Sequence, residues 1–346
     1  MQIQENYNIR PYNTFGIDAE AKRFAAFDSV EQLTRLLKDN RHSPLYILGG
    51  GSNVLFTDDY QGLILKNNLK GIQLIREDSD YYYVQVAAGE PWHPFVMHCV
   101  EHGYAGLENL SLIPGLAGAS PMQNIGAYGV EIKDYFFELE ALCIEDQKIA
   151  TFTKADCQFG YRESIFKTTL KGKYIILNVS FQLLKKPVLH LEYGAIKEEL
   201  VKAGIDLATS TPSIQDISQA VIRIRQSKLP DPNIIGNAGS FFKNPTIPLH
   251  QFEQLKVTHP NLPGYLAPKK TADIPDVIKV AAGFLIEACG WKGYRQGDAG
   301  VHSRQALVLV NYGKASGQEI LALSEKIIES VKVKFGISLE REVNII

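Results

Sequence analysis

The stretch Gly236-Asn237-Ala238-Gly239-Ser240-Phe241-Phe242-Lys243-Asn244-Pro245 carries the densest chemistry in the chain. Its glycines let backbone approach a ligand and adopt dihedrals closed to other residues. Ser240 offers a hydroxyl that can give a proton, and Lys243 and Asn244 can hold an anion or an amide. A tight turn between two elements would use the same glycines. A second stretch, Gly160-Tyr161-Arg162-Glu163-Ser164-Ile165-Phe166-Lys167, sets an arginine among aromatic and apolar neighbours. Arg162 there is either half of an ion pair with Glu163 or a clamp for a carboxylate or phosphate. A third is Leu339-Glu340-Arg341-Glu342-Val343. Strand alternation would send Glu340 and Glu342 to one face, as solvated carboxylates or as a reacting group.

Two glycine-rich stretches suit a large ligand. Gly49, Gly50, Gly51, Ser52 and Asn53 follow the apolar run Leu45-Tyr46-Ile47-Leu48. Backbone N–H groups in such a loop can cradle a pyrophosphate, with Ser52 and Asn53 adding donors. The second runs from Pro114, Gly115, Gly118, Ala119 and Ser120 through Gln123, Asn124, Gly126, Ala127, Tyr128 and Gly129. Its small, uncharged residues suit a flat heterocycle, although either loop alone would also serve as a surface turn. The dinucleotide fingerprint G-x-G-x-x-G and the phosphate loop G-x-x-x-x-G-K-[ST] are both missing, so a nucleotide cofactor would be held differently.

The elements that must position these residues mix helix and strand throughout, so the class is α+β. Lys22 to Phe27, Leu45 to Leu48, Gly62 to Leu65, Tyr82 to Val86, Phe137 to Ile144 and Tyr174 to Leu183 read as strands. Ser29 with Gln32, and Ser316 with Glu319, read as capping boxes that start helices. Pro91 to Glu101 and Ile214 to Arg225 read as further helices, and Phe335 to Ile346 as a closing strand. Leu229-Pro230-Asp231-Pro232 breaks the pattern and marks a boundary. The expected sections are 1–70, 71–228, 229–336 and the strand 337–346.

With 346 residues the chain has room for two or three domains. Lys+Arg 36 against Asp+Glu 38 argues against a general polyanion or nucleic-acid binder. The start is polar and acidic, unlike a signal peptide, and no apolar run has the length of a membrane span. The four cysteines are scattered and read as reduced thiols of a cytoplasmic protein. His98 and His102 could share a helical face, but without a third ligand they read as ordinary helix histidines, and no metal site is expected.

Taken together the motifs resemble the UDP-N-acetylenolpyruvoylglucosamine reductase family, from Asn13-Thr14-Phe15-Gly16 to the tail. Leu48 to Leu55 resembles that family's flavin pyrophosphate loop. Gly106-Leu107-Glu108 through Gly115, and Gln123 to Gly129, resemble its flavin wall. The resemblance implies a two-subdomain FAD-binding module of the vanillyl-alcohol-oxidase/MurB type, followed by a substrate-binding α+β domain. It implies Arg162, Ser240 and Glu342 as catalytic residues, converging over one isoalloxazine ring. Val188-Leu189-His190-Leu191-Glu192-Tyr193-Gly194 resembles the tyrosine loop of the family's longer form, and Arg225-Gln226-Ser227-Lys228-Leu229-Pro230 a diphosphate-binding segment. Substrate contacts are therefore expected from Tyr193, Arg225, Lys228, Lys243 and Asn244. One departure is that the chain stops at Ile346, soon after Glu342.

The implied reaction uses NADPH to reduce FAD, then reduces the enolpyruvyl ether of UDP-N-acetylglucosamine enolpyruvate. Arg162 and a protonated Glu342 would stabilise charge on the carboxylate, burial raising the pKa of the glutamate. Ser240 would protonate the neighbouring carbon. A monomer is expected. The alternatives are a flavin oxidase of the same architecture and a non-catalytic UDP-sugar binder. Neither needs all three catalytic segments.

Overall fold

A computed structural model describes residues 2–41, 43–193, 195–267 and 276–346. The chain splits into two compact units built from interleaved segments. The first comprises Met1–Tyr7, Ala21–Gly50 and Gln61–Ser227, the second Asn8–Glu20, Gly51–Tyr60 and Lys228–Ile346. Contiguous sections were expected; instead two early segments, 8–20 and 51–60, cluster with the C-terminal part.

The first unit holds two sheets. One orders its strands Gln4–Asn8, Glu20–Phe27, Tyr60–Asn67 and Leu45–Leu48. Leu45–Leu48 runs parallel to Tyr60–Asn67, with Leu48 opposite Lys66. The helix Val30–Asp39 starts where the sequence predicts, with the Ser29 side chain accepting from Gln32 N. Gln32 answers one residue early, at the Asp28 N–H, so the box is shifted. Leu33, Leu36 and Leu37 pack against Leu63, Leu65, Leu142, Ile175 and Leu177. Burying each such side chain contributes roughly 1.5–3 kcal/mol.

The other sheet is antiparallel, in the order Ile149–Thr153, Phe136–Cys143, Tyr174–Leu184, Tyr81–Ala87 and Ile72–Glu77. The helix Trp92–Glu101 buries Trp92 and Phe95, whose rings meet Phe181. Its first N–H groups have no partner inside the helix. Trp92 N solves this by donating to Gly115 O at 2.9 Å, which ties the helix start to a glycine-rich loop. His98 and His102 lie at the other end, where His102 Nδ1 is 2.8 Å from His98 O.

In the second unit one sheet runs Gly236–Asn237, Leu309–Asn311, Ala299–Val301 and Arg295–Gln296, and another Thr246–Pro248, Val277–Val280 and Gly264–Leu266. The apolar run from Val277 to Cys289 divides into a strand and the helix Ala282–Ala288. The helix Gly317–Phe335 has the predicted reciprocal cap between Ser316 and Glu319.

The closing strand is corrected. Phe335 is the last helical residue, and Gly336 at φ 67 stops the helix in the left-handed conformation that glycine tolerates. Only Asn344–Ile345 is strand, parallel to Val54–Leu55. Arg341 makes a single bridge with Phe242, so Glu342 lies between the two pairings. Among the described residues no helix is long and apolar enough to cross a membrane.

Candidate active site

In the first unit the strand Leu45–Leu48 delivers Gly49 and Gly50 against the second glycine-rich loop. A Cβ on Gly50 would lie 2.9 Å from the Gly115 Cα, so the two backbones touch where only glycine fits. A Cβ on Gly118 would lie 2.4 Å from the Ala88 Cβ, which makes it a packing glycine. Pro114 and Ala119 are exposed, and Gln123 is half-buried. Ser120 is buried and donates to Ala117 O at 2.7 Å. Gly126 and Ala127 pair with Glu131 and Val130, and Tyr128 and Gly129 form the turn at φ 50 and 84.

Arg162 belongs to this unit and sits at φ 55. Its Nη2 donates to Gly126 O at 2.5 Å and its Nη1 to Asn124 O at 3.5 Å. The Arg162 loop and the candidate flavin wall are thus joined through backbone carbonyls. Asn124 itself is buried, with its amide bonded to Glu131 Oε2, Gly160 O and Lys133 N.

A third cluster surrounds Tyr128. Its phenol is electrostatically coupled to the Arg225 guanidinium, and Arg225 Nε donates to Leu112 O at 3.1 Å. Burial lowers the Arg225 pKa below the usual arginine range and raises that of the Tyr128 phenol. Tyr193 is exposed, its ring edge-on to Tyr128 with centroids 6.4 Å apart. Burial, then the Arg225 charge, holds His93 below its ordinary pKa, and its Nδ1 accepts from Leu112 N at 3.0 Å.

In the second unit Gly239 at φ 68 turns the chain and leaves Ser240 exposed. Phe241 and Phe242 are buried directly behind it. Phe241 N donates to Leu307 O at 2.7 Å, Glu342 N to Phe241 O at 2.8 Å, and Lys243 N to Glu340 O at 2.9 Å. The serine and glutamate segments therefore lie side by side. Asn53 Nδ2 donates to Glu342 O at 3.3 Å and holds that carbonyl. Gly51 at φ 62 presses on Tyr12, whose carbonyl oxygen would lie 1.9 Å from an added Cβ; Ser52 beside it is half-buried.

Lys243 and Asn244, expected at the substrate, have internal partners. Lys243 is 7% exposed and pairs with Glu340 at 2.5 Å. Asn244 Oδ1 accepts from Ala282 N at 3.0 Å and caps the helix Ala282–Ala288. Lys228 is exposed at the end of the helix Ile214–Lys228.

Residues 231–346 match the family described as the C-terminal domain of UDP-N-acetylenolpyruvoylglucosamine reductase, and residues 21–153 match an FAD binding domain. The UDP-N-acetylenolpyruvoylglucosamine reductase of Flavobacterium johnsoniae is 50% identical over 347 aligned positions, covering 100% of both chains. This chain belongs to the UDP-N-acetylenolpyruvoylglucosamine reductase family. The Chromobacterium violaceum reductase is also 50% identical, over 99% of this chain and 98% of its own. The crystal structure of the Thermus caldophilus reductase shares the fold, with a TM-score of 0.68 at 22% identity, covering 100% of this chain and 99% of that one.

The group that such a reductase carries fits the residues present. Residues 49–53 and 114–129 contain no charged side chain. They offer backbone N–H groups and small residues, a donor set for a diphosphate beside a flat ring. Sequence reasoning on this reductase missed three residues. Thr14 Oγ1 donates to Asn237 O at 2.6 Å and its N–H to Gly51 O at 3.0 Å, linking the Gly51 turn to the start of the serine segment. Asn109 Nδ2 donates to both Tyr128 O and His190 O, fixing the base of the tyrosine loop. His93 supports Leu112, which supports Arg225. The polar pair Glu108-Asn109 set between Leu107 and Leu110 was the available signal.

Proposed function

We propose that this reductase converts UDP-N-acetylglucosamine enolpyruvate to UDP-N-acetylmuramate, acting as a cytoplasmic monomer with NADPH as reductant. Bound FAD supplies the two-electron relay between NADPH and the enolpyruvyl double bond. Gly49, Gly50, Gly51, Ser52 and Asn53 hold its diphosphate, and the stretch from Pro114 to Gly129, Asn124 apart, holds its ring. In this reading residues 1–70 and 71–228 serve the cofactor, 229–336 the sugar nucleotide, and the tail supplies Glu342.

Arg162 and Glu342 stabilise the negative charge that spreads onto the substrate carboxylate as the double bond is reduced. Preorganised donors of this kind lower a barrier by about 3 kcal/mol each. Ser240 gives its proton to the carbon beside that carboxylate. A serine hydroxyl is a weak acid, and an enolate-like carbon is basic enough to take its proton. Arg225 and Lys228 serve the sugar nucleotide, with Tyr193 closing from outside, while Lys243 and Asn244 brace the serine segment from within. The observation that carries the reading is the exposed Ser240 hydroxyl, backed by buried Phe241 and bridged through it to the Glu342 backbone.

An anaerobic titration of the purified yellow protein tests this. NADPH should bleach the flavin band, and the enolpyruvyl sugar nucleotide should restore it. A colourless protein would favour a mere sugar-nucleotide binder. Rapid turnover by oxygen without the second substrate would favour an oxidase.

A further inference from the structure

Asn124 was expected to touch the flavin, but all of its hydrogen-bonding geometry points into the protein. It is 0% exposed and sits at φ 44. Its Nδ2 donates to Glu131 Oε2 at 3.0 Å and to Gly160 O at 2.9 Å, and its Oδ1 accepts from Lys133 N at 3.1 Å. Two acceptors at one end and a donor at the other fix the orientation of the amide. Gly160 is bridged to Glu163, so Asn124 grips the turn on which Arg162 stands. The Asn124 carbonyl receives Arg162 Nη1, and Gly126 O, two residues on, receives Nη2.

We propose that Asn124 is a positioning residue for Arg162, holding both the turn that carries the arginine and the carbonyl that aims its guanidinium. The inference rests on the catalytic reading of Arg162 given above. It predicts a residue that acts through the arginine and makes no contribution of its own to flavin binding. Glu131 completes the device, since it fixes the Asn124 amide and is itself held by Lys133 at 2.5 Å. The same oxygen, Glu131 Oε2, meets the Lys133 ammonium and the Asn124 amide, and a charged acceptor orients an amide more firmly than a neutral one would.

The test compares Asn124→Ala, Arg162→Ala and the double variant by rapid mixing, with each half-reaction measured separately. In Asn124→Ala the reoxidation of reduced flavin by the enolpyruvyl substrate should slow by about 10- to 100-fold, the scale of a misplaced reacting group. That fall should exceed any fall in flavin reduction by NADPH at least tenfold. The double variant should be no slower than Arg162→Ala alone, because residues acting through one group are non-additive. Multiplied effects in the double variant, or loss of bound flavin from Asn124→Ala, would overturn the proposal. Glu131→Gln is a milder second probe, expected to slow the same half-reaction several-fold. Normal reoxidation in Arg162→Ala alone would remove the catalytic reading on which the proposal rests, and this is seen before Asn124 is touched.

Discussion

Arg162 stands on a turn gripped by side-chain hydrogen bonds, whereas Ser240 stands on a backbone ladder over two buried phenylalanines. Around Arg162 the chain adopts left-handed dihedrals at Asn124, Tyr128, Gln158 and Arg162, none of them glycine. Such conformations cost on the order of 1–3 kcal/mol each and persist only where the surroundings hold them. At Ser240 the left-handed position falls on Gly239, which accepts it without strain. The ladder from Phe241 to Glu342 and the buried rings then fix the serine. The difference teaches that Arg162 depends on a network that single substitutions can loosen. Ser240 depends on packing and backbone that they disturb less.

The largest effect is expected at the rigid end of this contrast. Ser240→Ala removes the proton and little else, since the anchors remain. Stopped-flow should show flavin reduction by NADPH preserved and reoxidation by the enolpyruvyl substrate slowed by about 100- to 10,000-fold. Two fast half-reactions would break the assignment. Gly51→Ala should come next, since an added Cβ would collide with the Tyr12 carbonyl, and the φ of 62 disfavours any side chain. A loss on the order of 3 kcal/mol in chemical denaturation is expected, and an unchanged midpoint would show that the turn yields freely.

On the softer side, Tyr193→Phe should raise KM for the sugar nucleotide about three- to tenfold, the value of one exposed hydrogen bond. Flavin reduction should hardly change; equal effects on both would contradict the role of the loop. The smallest expected effect compares two lysines. Lys243 is buried against Glu340. Half-buried Lys66 donates to the Asn67 carbonyl, and burial, then the Lys70 charge, pulls its pKa down from 10.5 to about 8. Below pH 8 both folded and unfolded chains carry that charge, and the folded state bears the penalty. From pH 8 to 10.5 the unfolded chain holds the extra proton, so stability rises with pH. Lys66→Met should therefore be the more stable protein at pH 7, and its advantage should fade as pH climbs through that window. A constant difference across it would refute the assignment.

Local signals were legible wherever one segment decides the outcome. Ser316 with Glu319, the strand Leu45–Leu48 and the break at Leu229-Pro230 appear where the pattern puts them. Gly50 meets Gly115, so the backbones of the two glycine-rich loops touch. What stayed hidden depends on partners far away in sequence. Nothing near Lys243 announces that Glu340 neutralises it, or that Asn244 caps a helix starting at Ala282. The tail from Leu339 to Val343 has an alternating pattern, yet its ladder partners reduce it to a single bridge. Asn124 reads as a ligand contact because its neighbours are small; its buried amide has three protein partners, at Glu131, Gly160 and Lys133.

The pairing of Asn344–Ile345 with Val54–Leu55 has a kinetic consequence. Asn53 and Glu342 are separated by 289 positions and still share a hydrogen bond. During synthesis the early strand has to wait, unpaired, until almost the entire polypeptide has been made. Closure of so large a loop is slow, so the C-terminal unit should be the last to gain protection in pulse-labelled hydrogen exchange. A fragment covering only 231–346 would lack two of its own pieces and should not fold alone.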